Sequence, residues 1–200
     1  MVNGSLKVLR RKGKSHGVKE TRGKYSKGKS IRKRDKSVYS REEAGHWEAD
    51  TVVSGQGKSK ACFATLAERK TRFYIAMKMS DRRAETMENA IVAALSAFPP
   101  QLVKTITCDR GTEFANWRRI EERLHCEVYF ADPYCAWQKG TNENLNGLLR
   151  EFYPKGRNLS RVAPATLKRN LALLNARPRK VLYFHSAQEL WDFELNSCCT

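Results

Sequence analysis

The chain has 200 residues and a formal net charge of +17, from 38 Lys and Arg against 21 Asp and Glu. A hydrophobic fraction of 40% is enough for one packed domain with an appendage and argues against two full domains. The charge is uneven. Residues 1–40 hold fourteen basic and two acidic residues, and residues 41–200 carry only the remaining +5.

The basic segment of residues 1–40 predicts a flexible linker or arm, followed by a folded domain at residues 41–197. A polyphosphate is the natural partner of such an arm, because each neutralised phosphate releases counterions. No apolar run reaches the ~20 residues that span a bilayer, and the cationic start lacks the apolar stretch of a signal peptide. We therefore expect a cytoplasmic, nucleoid-associated protein that has no membrane attachment.

The six cysteines, at positions 62, 108, 126, 135, 198 and 199, form no Cys-x-x-Cys pair, which argues against a zinc finger or ribbon. Cys62, Cys108 and Cys126 lie in apolar surroundings and are expected to be small buried residues. His125 beside Cys126 and His46 both lack partner ligands. We therefore expect structural roles for these two histidines rather than metal binding.

The predicted elements start at residue 45. Residues 46–53, 60–67 and 71–79 are rich in β-branched and aromatic residues and predict three antiparallel strands joined by short links. The following segments predict, in order, a helix over 82–98, a strand over 103–108, a helix over 113–124, a strand over 127–130, and helices over 140–152 and 164–175. This order predicts a mixed sheet with helices on its faces.

Three acidic residues occupy positions that can converge. Asp50 shares a strand face with Glu48, because side chains alternate along a strand. Asp109 directly follows a predicted strand, and the carboxyl ends of strands are where open α/β sheets usually build their sites. Glu143 lies near the start of a helix and shares one helical face with Arg150, seven residues later. Arg150 is therefore a candidate phosphate contact beside the acids.

Each acid alone is more often an ordinary surface or turn carboxylate, but together the three fit a two-metal site. Two divalent ions about 3.5 to 4 Å apart stabilise the attacking and leaving oxygens of an in-line displacement. The rival acids are Glu48, which we expect to support Asp50 from the same face, Glu113, which we expect to begin a helix, and Asp132. Trp47 is expected in the core, whereas Trp137 lies in a polar loop and could stack on an unpaired base.

At these residues the chain resembles the DDE transposases of bacterial insertion sequences, in the IS30 family. The motifs that carry the resemblance are GHWEAD at 45–50, ERKTRF at 68–73, TCDRGTEF at 107–114, DPYCAWQKGTNEN at 132–144, PKG at 154–156 and LNARPRK at 174–180. The resemblance implies a ribonuclease H-like fold, a mixed sheet of three antiparallel strands plus parallel strands flanked by helices.

For the site, the resemblance implies a catalytic and metal-binding triad of Asp50, Asp109 and Glu143 that holds two Mg²⁺ ions, for which Mn²⁺ can substitute. It also implies DNA contacts, for which the expected residues are Arg150, Lys139, Asn142, Trp137 and Lys155. The activity implied is cleavage and strand transfer of DNA by a transposase that acts on insertion-sequence ends and target DNA and is a homo-oligomer when active.

The chain departs from the family pattern in three places: Arg110 stands where Asn is usual, Cys135-Ala136 replaces Ser-Pro, and Tyr183 replaces Gly. Residues 1–40 also lack the apolar periodicity of the family's end-reading helix-turn-helix region, so we expect a truncated copy. Two alternatives stay open. One is a catalytically silent DNA-binding remnant, and the other is a nuclease on the same fold that cuts DNA without joining it.

Overall fold

A computed structural model describes residues 28–133 and 135–198, and these residues form a six-stranded mixed sheet covered by helices. The strands are β1 (Lys29–Ser30), β2 (His46–Val53), β3 (Cys62–Glu68), β4 (Tyr74–Met79), β5 (Thr105–Cys108) and β6 (Glu127–Phe130). Their order in the sheet is β1-β6-β5-β2-β3-β4. Strands β2, β3 and β4 pair antiparallel, while β5, β6 and β1 extend the sheet in parallel from β2. The predicted mixed sheet is confirmed.

The helices are α1 (Ala84–Leu95), α2 (Trp117–Leu124), α3 (Gly140–Phe152), α4 (Pro164–Ala176) and α5 (Ala187–Ser197). Helix α3 has the predicted bounds. Helix α2 starts later than predicted, because Thr112–Phe114 forms a separate 3₁₀ turn. Helix α5 was not predicted. In the part of the chain that the structure describes, no helix combines the length and apolar content needed to cross a bilayer.

The buried side chains form two clusters, one on each face of the sheet. Helices α1, α2 and α5 contribute to the first cluster, and Trp47 and Trp191 meet there edge to face, with ring centroids 5.3 Å apart. Helices α3 and α4 cover the other face, where Phe63 packs against Tyr153. The expected burial of Trp47 and of the cysteines at 62, 108 and 126 is confirmed. Helix α3, which carries Glu143, is thus fixed to the sheet by a core of its own.

Folded structure begins before residue 40, where we placed the end of the arm. Ile31 and Val38 are buried, at 1% and 3% exposure. Arg34 is also buried and donates a hydrogen bond to Thr107 Oγ1 at 2.7 Å. Residues 28–40 therefore belong to the domain, because two apolar residues within the basic segment reach the core. The expected flexible arm is thus corrected for this segment, and its residues 1–27 lie outside the described residues.

Candidate active site

The pairing of two parallel strands places Asp50 and Asp109 next to each other. In that pairing, Glu48 on β2 lies opposite Thr107 on β5. Asp50 and Asp109 are each two residues further along, so the same register sets them side by side at the carboxyl end of β5. Strand pairing alone therefore accounts for the convergence of two residues that are far apart in sequence.

A single ammonium group lies between these two carboxylates. Lys139 Nζ is 3.5 Å from Asp50 Oδ1 and 3.9 Å from Asp109 Oδ2. The same nitrogen donates to the carbonyl oxygen of Ala49 at 3.2 Å, and the lysine is only 8% exposed. Lysine is rarely buried to this degree unless it is paired with acids. Lys139, expected to contact DNA, thus lies inside the acidic site in this structure.

Asp50 is held by donors on both of its oxygens. The amide of Thr51 donates to Oδ1 at 2.8 Å, and Asn146 Nδ2 donates to Oδ2 at 3.1 Å. Asn146 is oriented in turn by the buried hydroxyl of Tyr74, which donates to its side-chain oxygen at 2.7 Å. Burial raises the pKa of Asp50, and the charge of Lys139 opposes that rise.

Sequence reasoning missed Asn146 and Tyr74. A signal for Asn146 was present, because it follows Glu143 by three residues and so lies on the same face of α3. Tyr74 offered no comparable signal, because its contact with α3 depends on how the helix packs across the sheet.

Glu143 lies in the first turn of α3, four residues after Lys139, and its side chain is exposed. Among the described residues, no three His, Cys, Asp or Glu side chains are grouped closely enough to hold one ion. The structure therefore brings Asp50 and Asp109 together, and among the described residues Glu143 does not join them in a group of three acids that could hold one ion. The aspartates nevertheless fit a cation, since the Lys139 ammonium already lies between them.

Asn142 and Glu48 attach the start of α3 to the sheet. Asn142 is fully buried, and its side-chain amide donates to the carbonyl oxygens of Glu48 and Thr65 at 2.6 and 3.2 Å. Its backbone amide donates to Glu48 Oε2 at 2.9 Å, and Arg69 donates to the other oxygen of that carboxylate. Because every polar group of the Asn142 side chain has a partner inside the protein, we assign it a structural role in place of the expected DNA contact.

The rival acids have partners of their own. Glu113 is buried and accepts from Arg82 at 2.7 Å and from the hydroxyl of Thr51 at 3.2 Å. A Cβ at Gly111 would lie 2.3 Å from Glu113 Oε2 and 2.9 Å from Asp109 Oδ1, so a larger residue there would displace these carboxylates. Asp132 accepts from Arg32 at 3.0 Å, and that bond lowers the pKa of Asp132.

The remaining expected DNA contacts are Arg150, Trp137 and Lys155. Arg150 donates to the carbonyl oxygens of Val53 and Tyr153 at 3.0 and 3.3 Å, and partial burial lowers its pKa. Trp137 is 74% exposed, and Lys155 is also exposed. Trp137 and Lys155 are therefore open to a ligand, in contrast to Lys139 and Asn142, whereas Arg150 is half-buried.

His46 and Arg110 both have hydrogen-bond partners within the fold. His46 bonds Thr105 through Nδ1 and Glu43 through Nε2, at 2.9 and 3.1 Å. These partners explain its burial without a metal. Arg110, the departure next to Asp109, donates to the carbonyl oxygen of Ala131 at 3.3 Å and lies 3.9 Å from Asp132.

Comparison with protein families matches residues 40–136 to the model of the integrase core domain. Among curated relatives, a probable transposase of the insertion-like sequence element IS1161 from Streptococcus salivarius is 37% identical over 82% of this chain and 46% of its own length. The transposase of insertion sequence element IS30C from Escherichia coli is 35% identical over 90% of this chain and 47% of its own length. The chain thus spans about half the length of these relatives.

Solved structures support the same fold. The catalytic core domain of BIV integrase has a TM-score of 0.58 at 16% identity and covers 78% of this chain and 99% of its own. The catalytic core domain of HTLV-2 integrase, solved in complex with magnesium, has a TM-score of 0.55 at 14% identity and covers 74% of this chain and 95% of its own. The sheet and helices described above are therefore a ribonuclease H-like fold.

Proposed function

We propose that the chain is a DDE transposase of the IS30 type, to whose members it is similar at 35–37% identity, and that its folded domain cuts and joins DNA. The observation that carries the proposal is the side-by-side placement of Asp50 and Asp109 around one cationic nitrogen. Carboxylates that neighbouring strands hold together, at the carboxyl end of a strand, are suited to a cation that activates a phosphodiester.

The proposed cofactor is a pair of divalent ions, Mg²⁺ with Mn²⁺ as a substitute, held by Asp50, Asp109 and Glu143. Magnesium in proteins is usually bound through one or two carboxylates, with substrate phosphates and water completing the shell. Bound there, the ions would polarise the scissile phosphate and stabilise the attacking and leaving oxygens. The magnesium complex of the HTLV-2 integrase core domain supports this choice of ion on a related fold.

The protein's own residues would orient the reacting groups. The amides of Thr51 and Asn146 fix both oxygens of Asp50 before any ligand arrives. Arg150 and Lys155 would hold DNA phosphates, and the exposed indole of Trp137 would stack on a base. In the proposed reaction, water attacks the phosphodiester at an element end, and the freed 3′-OH then attacks target DNA. The partners would be the insertion-sequence ends, target DNA in the nucleoid and a second copy of this chain.

A nicking and strand-transfer assay with Mg²⁺ or Mn²⁺ tests this function. We expect the wild-type chain to nick plasmid DNA and to join a donor end to it, and Asp109→Ala to do neither. Equal activity in the two proteins would exclude the proposed site. Cutting without joining would instead identify a nuclease, and DNA binding without cutting would identify a silent remnant.

A further inference from the structure

The position of Lys139 between the two aspartates leads to a further inference, which rests on the proposed function of that site. We infer that the Lys139 ammonium is an internal counter-ion that binds where a divalent ion would bind, so that metal binding requires its displacement. Lys139 would then set the metal affinity of the site, in addition to any contact with DNA.

The geometry leaves little room for both cations. The ammonium is within 4 Å of one oxygen from each aspartate and also bonds the carbonyl oxygen of Ala49. A divalent ion coordinates carboxylate oxygens at about 2.0–2.6 Å, so an ion shared by Asp50 and Asp109 would need the space between them. Two cations in that space would also repel each other strongly, because the surroundings are partly buried.

The ammonium has a clear benefit for the metal-free protein. One oxygen of Asp50 and one of Asp109 lie within 4 Å of the same Lys139 nitrogen, so the two negative charges are close together. Without a cation between them the two carboxylates would repel each other. Lys139 therefore stabilises the arrangement that the metal needs, while it competes with the metal for the same oxygens.

The position of Lys139 in the chain allows its side chain to move out of the space between the two aspartates. It is the last residue of the 3₁₀ turn Ala136–Lys139, directly before α3, and four methylene groups separate its ammonium from the backbone. Displacement can therefore occur by rotation of the side chain, without movement of the helix. The DNA contact expected of Lys139 would then follow metal binding rather than precede it.

Mn²⁺ binding to the full chain without DNA, measured by electron paramagnetic resonance of the free ion, tests the competition. We expect Lys139→Gln to bind Mn²⁺ about tenfold more tightly than wild type, since it removes one charge-assisted competitor. Lys168→Gln, which removes an equal charge from the exposed surface of α4, should bind as wild type does. Equal or weaker binding by Lys139→Gln than by wild type would overturn the inference.

A measurement on the wild-type chain covers the case in which Lys139→Gln does not fold. Acetylation of Lys139, followed by peptide mass spectrometry, should be severalfold faster with Mn²⁺ than without it, because the displaced amine becomes accessible. Unchanged or slower acetylation would overturn the inference.

Asp109→Asn separates this failure from failure of the proposed function. If wild type binds Mn²⁺ and Asp109→Asn does not, the metal site stands whatever Lys139 does; if neither binds Mn²⁺, both proposals fail.

Discussion

Asn146 illustrates how one residue can control another residue's chemistry. It donates to Asp50 Oδ2 and accepts from the buried hydroxyl of Tyr74. We expect Asn146→Ala to reduce metal-dependent DNA cleavage by about 10- to 100-fold, the usual effect of removing a group that orients a metal ligand. Rate constants for cleavage at saturating Mg²⁺ measure the effect.

Asn144→Ala is the matched control, because Asn144 is an exposed asparagine on the same helix. It should cleave DNA at the wild-type rate. Should Asn146→Ala also cleave at that rate, Asp50 would not depend on this bond for its orientation.

At the residue scale, sequence reasoning predicted that Asp50 and Asp109 lie near each other. It did not predict the side chains that hold them there. Strand alternation and the turn at Gly111 were sufficient to place the aspartates. The site of Lys139 could not be predicted, because a lysine in a loop normally extends into solvent, and only the packed structure reveals that two acids and a carbonyl oxygen surround it. The same holds for Asn142, whose burial depends on a sheet surface formed by distant residues.

At the scale of elements, the attachment of α3 to the sheet decides where Glu143 lies. Asn142 makes three side-chain hydrogen bonds, to Glu48 and Thr65. We expect Asn142→Ala to lower the free energy of unfolding by about 1–3 kcal/mol, because it leaves buried polar groups without partners. Urea denaturation measures this change.

The surface substitution Asn144→Ala should change stability by less than about 0.5 kcal/mol. If Asn142→Ala lowers the free energy of unfolding no more than this control does, the Asn142 hydrogen bonds do not hold the helix.

Most elements were predictable because their patterns are local. The bounds of β2, β6 and α3 follow directly from the spacing of their apolar residues and from the turn-forming residues beside them. Helix α5 was missed although its start carries a capping box, in which Ser186 and Glu189 bond each other's backbone amides at 3.1 and 2.7 Å. Strand β1 was missed for a different reason: a two-residue strand exists only through its pairing with β6.

At the scale of the whole molecule, we expect the two parts of the basic segment to have different roles. Residues 1–27 carry nine basic residues and one acidic residue, while residues 28–40 include the buried Ile31 and Val38. Removal of residues 1–27 should leave the thermal midpoint nearly unchanged and weaken the salt dependence of DNA binding. Removal of residues 1–40 should also destabilise the domain, since each buried aliphatic side chain contributes about 1.5–3 kcal/mol.

Thermal unfolding and DNA titrations at several salt concentrations distinguish the two deletions. Equal thermal midpoints would show that residues 28–40 do not stabilise the domain. An unchanged salt slope after removal of residues 1–27 would show that this segment does not bind phosphate.

The central claim is that Asp50, Asp109 and Glu143 act together, although only the two aspartates are close to each other in the structure. The most direct test measures Mg²⁺-dependent DNA cleavage by Asp50→Asn, Asp109→Asn and Glu143→Gln, with Asp132→Asn as the control acid beside the site. We predict that each of the three triad variants loses cleavage by about 100-fold or more, and that Asp132→Asn retains it. Wild-type cleavage by Glu143→Gln, or its loss in Asp132→Asn, would contradict the claim.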